Sequence, residues 1–114
     1  MVVYDTARQL AEELKSSDAY RTYAAARETA LANETTRTLV AEYHKLQLQA
    51  QAVMVQGGKD EELLQKLQKV GEVLQLDKDA SAFLLAEYRL NRMLGDVYKI
   101  LAEAIDVDLS GLEG

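Results

Sequence analysis

Apolar residues recur along this chain at intervals of three and four, the spacing that gathers them on one face of an α-helix. In the first segment Val3, Ala7, Leu10 and Leu14 align in this way. Asp5 stands where a side-chain cap begins a helix, so the pattern predicts a helix over 5–15. Ser16-Ser17-Asp18 interrupts it, and Ser17 or Asp18 can cap a second helix over 19–32. The apolar side of that helix is built from Tyr20, Tyr23, Ala24, Ala30 and Leu31. Tyrosines have an apolar body and a polar tip, which suits the edge of a core. Asn33 stops this helix or caps the next. A third helix over 34–56 ends at Gly57-Gly58, a natural C-terminal stop, and at 1.5 Å per residue forms a rod of roughly 35 Å. After a turn at Lys59-Asp60, Leu63, Leu67, Val70 and Leu74 are spaced four-three-four over 61–76, the signature of a knobs-into-holes seam. Asp77-Lys78-Asp79 predicts another break. Phe83, Leu90, Leu94, Val97, Leu101 and Ala104 then keep a heptad register over 80–105, interrupted at Glu87. The stretch from Asp106 to Gly114 is expected to be loose. The fold class expected is all-α, about five helices in an antiparallel bundle-like array, forming a single domain over 1–114.

Residues 46–53, Leu-Gln-Leu-Gln-Ala-Gln-Ala-Val, alternate almost as a strand would. Leu, Gln and Ala are good helix formers, and an isolated strand would have no partner, so the helix is retained. The alternation then has a structural meaning. Leu39, Tyr43, Leu46, Ala50 and Val53 make one heptad stripe, while Ala41, Leu48, Ala52 and Val55 make another on a different side of the same rod. A helix apolar on two sides is normally buried on two sides. The expectation is a homo-oligomer, a two-fold dimer being favoured, with Leu39, Tyr43, Leu46, Leu48, Ala52 and Val55 as candidate interface residues.

Composition supports the helical reading. Proline, cysteine and tryptophan are absent, and good helix formers dominate. Without cysteine there is no disulfide framework, thiolate zinc site or cysteine-ligated iron–sulfur cluster. Residues 1–5 carry neither a basic leader nor an apolar core of signal-peptide length, and no run approaches the roughly 18 apolar residues of a membrane span. A cytoplasmic protein without membrane insertion is expected. The net charge is −6, from 13 basic and 19 acidic residues. Duplex nucleic acid is bound chiefly by cations that neutralise phosphates, so direct nucleic-acid binding is not expected. From Asp79 onward seven acidic residues outnumber Arg89, Arg92 and Lys99. That end suits a basic partner or simply solubility.

The search for chemistry comes back empty. His44 is the single histidine, and Ala41 stands three residues before it, so the Glu-x-x-His pattern of di-iron bundles is missing. Beside Glu42 and Lys45 it reads as part of a solvated or interfacial strip. Glu12-Glu13 and Glu61-Glu62 are sequence neighbours, which diverge by about 100° on a helix and read as structural. The serines lack the Gly-x-Ser-x-Gly context, and Gly57-Gly58-Lys59 is followed by Asp60 without phosphate-loop spacing. Gly71 and Gly95 fall inside helices, where close backbone approach in a packed core would explain them. No catalytic residue, metal or cofactor is expected.

Several local strings, taken together, resemble the YlbF/YmcA/YheA family of small helical bacterial proteins, most nearly its YheA-like branch. They are Leu10-x-x-x-Leu14 followed by Ser17-Asp18-x-Tyr20, the Gln-rich Leu46–Gln49 before Gly57, and Ala86-Glu87-x-Arg89-Leu90-x-x-Met93-Leu94-Gly95-Asp96-Val97. The resemblance spans nearly the whole chain and lies in packing patterns. It implies an all-α, self-associating protein in a Gram-positive cytoplasm. It also implies a regulatory or adaptor role, since some relatives act in a complex that influences a membrane-bound ribonuclease, mRNA processing and developmental choices. Such complexes have been linked to iron–sulfur clusters through cysteines, ligands this chain does not possess. The expected function is therefore a non-catalytic adaptor working through protein–protein contacts, possible partners being its own copies or another regulatory protein. The alternatives are a factor of RNA turnover touching nucleic acid indirectly, or a small-ligand-binding helical protein.

Overall fold

A computed structural model describes residues 1–106; the expected loose stretch, from 107 onward, lies outside the described residues. Five α-helices follow one another: α1 Val2–Lys15, α2 Asp18–Ala32, α3 Glu34–Val55, α4 Glu61–Leu76 and α5 Lys78–Ile105. No strand occurs among the described residues, and 46–53 is helical.

The breaks between helices are written in capping residues. Ser17 accepts the amide of Tyr20 at 3.2 Å while its hydroxyl donates to the Leu14 carbonyl at 2.6 Å, ending α1 and starting α2 together. Asn33 accepts the Thr36 amide at 3.1 Å, and Asp60 accepts that of Leu63 at 3.0 Å. At the end of α3, Gly57 (φ +76°) donates to the Met54 carbonyl and Gly58 to that of Val53, the paired bonds of a Schellman turn. Two boundaries differ from the sequence expectation. Helix α1 starts at Val2, so Asp5 lies in its first turn, where its charge suits the helix dipole and Arg8 reaches it at 3.2 Å. The break before α5 shrinks to Asp77, because its carboxylate accepts the amides of Asp79 and Ala80 at 3.0 and 3.1 Å and restarts the helix at once.

The described residues form two compact groups, Ala24–Leu84 and Met1–Tyr23 with 85–106. In the first group α3 and α4 lie side by side as a hairpin. The four seam residues of α4 all lose solvent, with Leu63 buried and Leu74 almost wholly so. Burying a leucine this completely is worth about 1.5–3 kcal/mol. Ala30, Val40, Leu46, Ala80 and Phe83 complete the buried apolar set of this group. Thr36 is the buried polar residue, and its hydroxyl donates to the Asp77 carboxylate. That bond, then the Ala80 and Asp79 amides, hold the Asp77 carboxyl below its ordinary 3.8 against the opposing effect of burial.

The second group is more open. Helix α1 has no buried residue: Leu10 and Leu14 are half-covered, while Val2, Val3 and Tyr4 are exposed. Tyr20 and Tyr23 are half-buried with ring centres 6.4 Å apart, an edge-of-core arrangement. Along α5, Ala86 is buried and Leu90, Leu94 and Val97 half-buried, but Leu101 and Ala104 of the same register are exposed. Crowding does not account for the two helical glycines. A Cβ on Gly71 would rest 3.7 Å from Tyr43 Cε1, an ordinary contact, and one on Gly95 would meet nothing within 4 Å.

Gly71→Ala is therefore expected to stabilise the fold by about 0.5–1 kcal/mol, measured by urea unfolding, since helix propensity improves at no steric cost. Thr36→Val should lower the urea midpoint at pH 7. Because the Asp77 carboxyl is depressed in the folded state, its stabilisation is present above the ordinary 3.8 and is lost as pH falls through the folded value. Removing its largest cause should narrow the gap between midpoints at pH 7 and pH 3; an unchanged gap would deny the bond its role.

Candidate functional site

Helix α3 decides where a functional surface can lie, because its two apolar stripes meet different fates. Of the first stripe, Leu46 is only 4% exposed, and Leu39, Tyr43, Ala50 and Val53 are half-buried. The second stripe is open: Leu48 is 67% and Val55 88% exposed, and Ala41 and Ala52 are exposed between them. The six candidate interface residues thus divide. Leu46 belongs to the chain's own core, beside Leu63 of α4 in the cleft of the hairpin. Leu39 and Tyr43 are half-used by the chain itself. Leu48 and Val55 stay on the open side, and Ala52, exposed between them, also edges the groove toward α4.

Two grooves flank the hairpin. One has Leu46, Val53 and Leu63 at its base, with Glu42, Lys45, Asp60, Glu62 and Lys66 along its rim; the rim carries both signs, and Lys66 pairs with Glu62 at 3.7 Å. The other is lined by Tyr43, Leu64, Leu67, Gln68 and Gly71, with Glu72 and Gln75 at its edge. Neither brings together a nucleophile, a base and an oxyanion donor. Among the described residues no group of three His, Cys, Asp or Glu side chains is placed to hold a metal. The depressed carboxyl, Asp77, is a helix cap, so its shift marks a structural joint. His44 differs from the sequence expectation: its ring is half-buried and meets the buried Phe83 edge-on, with centroids 6.2 Å apart. The sequence placed it by its charged neighbours, whereas its position on the rod turns it toward the start of α5.

Sequence reading passed over several exposed apolar residues. Met54 adjoins Val55 at the end of α3, and Leu64, Val73 and Leu76 lie open on α4. On α5, Tyr88, Tyr98 and Ile105 are exposed on one side of the helix. The signal was available there: Tyr88, Gly95, Tyr98, Ala102 and Ile105 follow one another at seven, three, four and three, a second stripe beside the heptad already recognised. No helix among the described residues is long and apolar enough to cross a membrane.

Comparison with known proteins gives the chain its family and its fold relatives. A family model described as "Control of competence regulator ComK, YlbF/YmcA" matches residues 3–106. A UPF0342 protein of Symbiobacterium thermophilum is 41% identical over 108 residues, covering 94% of this chain and 96% of its own. Another, from Desulfitobacterium hafniense, is 36% identical over 106 residues, covering 92% and 86%. Among solved structures, a protein of unknown function (DUF964) from Bacillus stearothermophilus has a TM-score of 0.77 at 18% identity, covering 93% of this chain and 94% of its own. A chain of the crystal structure of Bacillus subtilis RicA in complex with RicF has a TM-score of 0.60 at 22% identity, covering 91% of this chain and 93% of its own.

The two sides of α3 should respond differently to truncation. Leu46→Ala is expected to cost about 2–5 kcal/mol in urea unfolding, the usual loss for emptying a core leucine site. Leu48→Ala should stay within about 0.5 kcal/mol of the parent. Equal losses would place both residues in the core.

Proposed function

The chain belongs to the YlbF/YmcA family, and from that premise we propose that it is a non-catalytic, cytoplasmic regulatory adaptor that works through helix-face contacts and self-associates as a two-fold dimer. The observation that carries the reading is the open stripe of Leu48, Ala52 and Val55 on a helix whose opposite stripe is already buried. Contiguous apolar surface of this kind, rimmed by polar residues, marks interaction sites in soluble proteins. Arg37, Lys45, Gln47 and Gln51 supply such a rim along α3.

Two comparisons support the reading. The family is described by its control of the competence regulator ComK, a regulatory role. A chain of the RicA–RicF complex shares this fold, and in that structure it is bound to a second protein. By analogy, helical faces here serve to hold another protein.

The test is capture of the tagged protein from a native extract treated with ribonuclease, beside the Leu48→Asp variant. A specific protein should remain with the parent and fall by about tenfold or more with the variant, since a carboxylate in an apolar contact is costly to desolvate. Loss of every partner on ribonuclease treatment would favour a nucleic-acid-dependent role, and equal capture by parent and variant would remove α3 from the contact.

A further inference from the structure

We infer that α5 carries the seam between two copies of this chain: an antiparallel pairing in which the ring of Tyr98 of each copy fills the gap above Gly95 of the other. The inference rests on the self-association proposed above and assigns it a surface, leaving the open stripe of α3 to a different protein. Three observations on α5 lead to it.

The first is the glycine. Gly95 lies mid-helix, where it costs about 1 kcal/mol relative to alanine, and nothing within 4 Å of its missing side chain explains it. Within one chain alanine would fit. A second helix approaching closely is what that empty position serves, since it forms a hole that a larger side chain can enter.

The second is the composition of the stripe. Tyr88, Asn91, Gly95, Tyr98, Ala102 and Ile105 share one side of α5, and none is charged in a chain where 28% of residues are. Tyr88, Tyr98 and Ile105 are 63%, 43% and 62% exposed. Depletion of charge with enrichment in tyrosine is the signature of an interface centre. Beside the stripe stand Arg92 and Lys99 with Asp96 and Glu103, two of each sign, so the net −6 of each copy does not oppose contact here.

The third is self-complementarity, which a two-fold contact demands because one patch must match itself. Run antiparallel, the stripe places Gly95 opposite Tyr98, Asn91 opposite Ala102, and Tyr88 opposite Ile105, each pairing occurring twice about an axis near residues 96–97. At the centre of the seam the smallest residue, Gly95, then faces a large ring, Tyr98, on both sides of the axis. The seam is about 25 Å long at 1.5 Å per residue. Leu101, 45% exposed, and the apolar stems of Arg92 and Lys99 widen it toward the roughly 800 Å² per partner of a stable pair.

The absence of cysteine makes the register directly testable. Asn91→Cys chains mixed with Ala102→Cys chains and mildly oxidised should give a disulfide-linked dimer, while each variant alone should give none, because a disulfide needs Cα atoms within about 7 Å. Self-linking of either variant alone, or no linking in the mixture, would overturn the pairing. Independently, sedimentation of Gly95→Leu should show the dimer dissociating about tenfold or more readily, with helix content and thermal unfolding of the isolated chain preserved, since the side chain has open space within its own copy. Leu48→Asp should remain dimeric. A wild-type chain that is monomeric at micromolar concentration, or dimers lost with Leu48→Asp and kept with Gly95→Leu, would refute the seam. Failure of the capture experiment would leave it untouched, so the two readings stand or fall apart.

Discussion

One side chain joins three helices in the Ala24–Leu84 part of the molecule. The Asp77 carboxylate starts α5 by accepting the amides of Asp79 and Ala80, and takes the hydroxyl of Thr36, buried in the first turn of α3. Its own amide closes α4 on the Leu74 carbonyl, which also accepts the Ser81 hydroxyl. A single-residue break between two helices is possible because Asp77 satisfies the amides of Asp79, Ala80 and Ser81 that the break frees. Thr36 is a buried polar residue, and without the carboxylate its hydroxyl would carry a desolvation cost with no return. The joint therefore brings α3 to the α4–α5 corner, and the placement of Val40, Leu74 and Phe83 in the core follows from it.

With the hairpin set in that way, the remaining apolar surface acquires its meaning. Both α3 and α5 are apolar on more than one side, and a chain of 114 residues covers one side of each. What it leaves open is extended, periodic and poor in charge, unlike the isolated exposed leucines that any protein carries. The single histidine meets Phe83, and the Asp60 and Asp77 carboxylates serve as helix caps.

Most of the helical architecture was legible in residues. Asn33, Asp60 and the Gly57-Gly58 pair announce their boundaries because capping is a local reaction between a side chain and the next turn. The four-three-four seam of α4 was likewise legible, and all four of its residues lose solvent. The less legible boundaries were those with two local answers. Asp5 can cap a helix or sit in its first turn, and the structure chooses the latter. Lys78 and Asp79 could extend a loop, but Asp77 alone suffices as cap.

Periodicity by itself determined that α3 has two apolar sides, since which residues share a face depends only on the 3.6-residue turn of one helix. It could not say which side the chain would use. That choice depends on where α4 returns and how the Asp77 joint orients the hairpin, which is a relation between distant segments. Hence Leu46 and Leu48, two residues apart and alike in kind, end in opposite environments, one sealed beneath α4 and the other open. His44 shows the same division: its neighbours in sequence are charged, while its neighbour in space is Phe83. Local backbone chemistry wrote the helices into the sequence; only the packing of one segment on another decided which of their faces remain available to a partner.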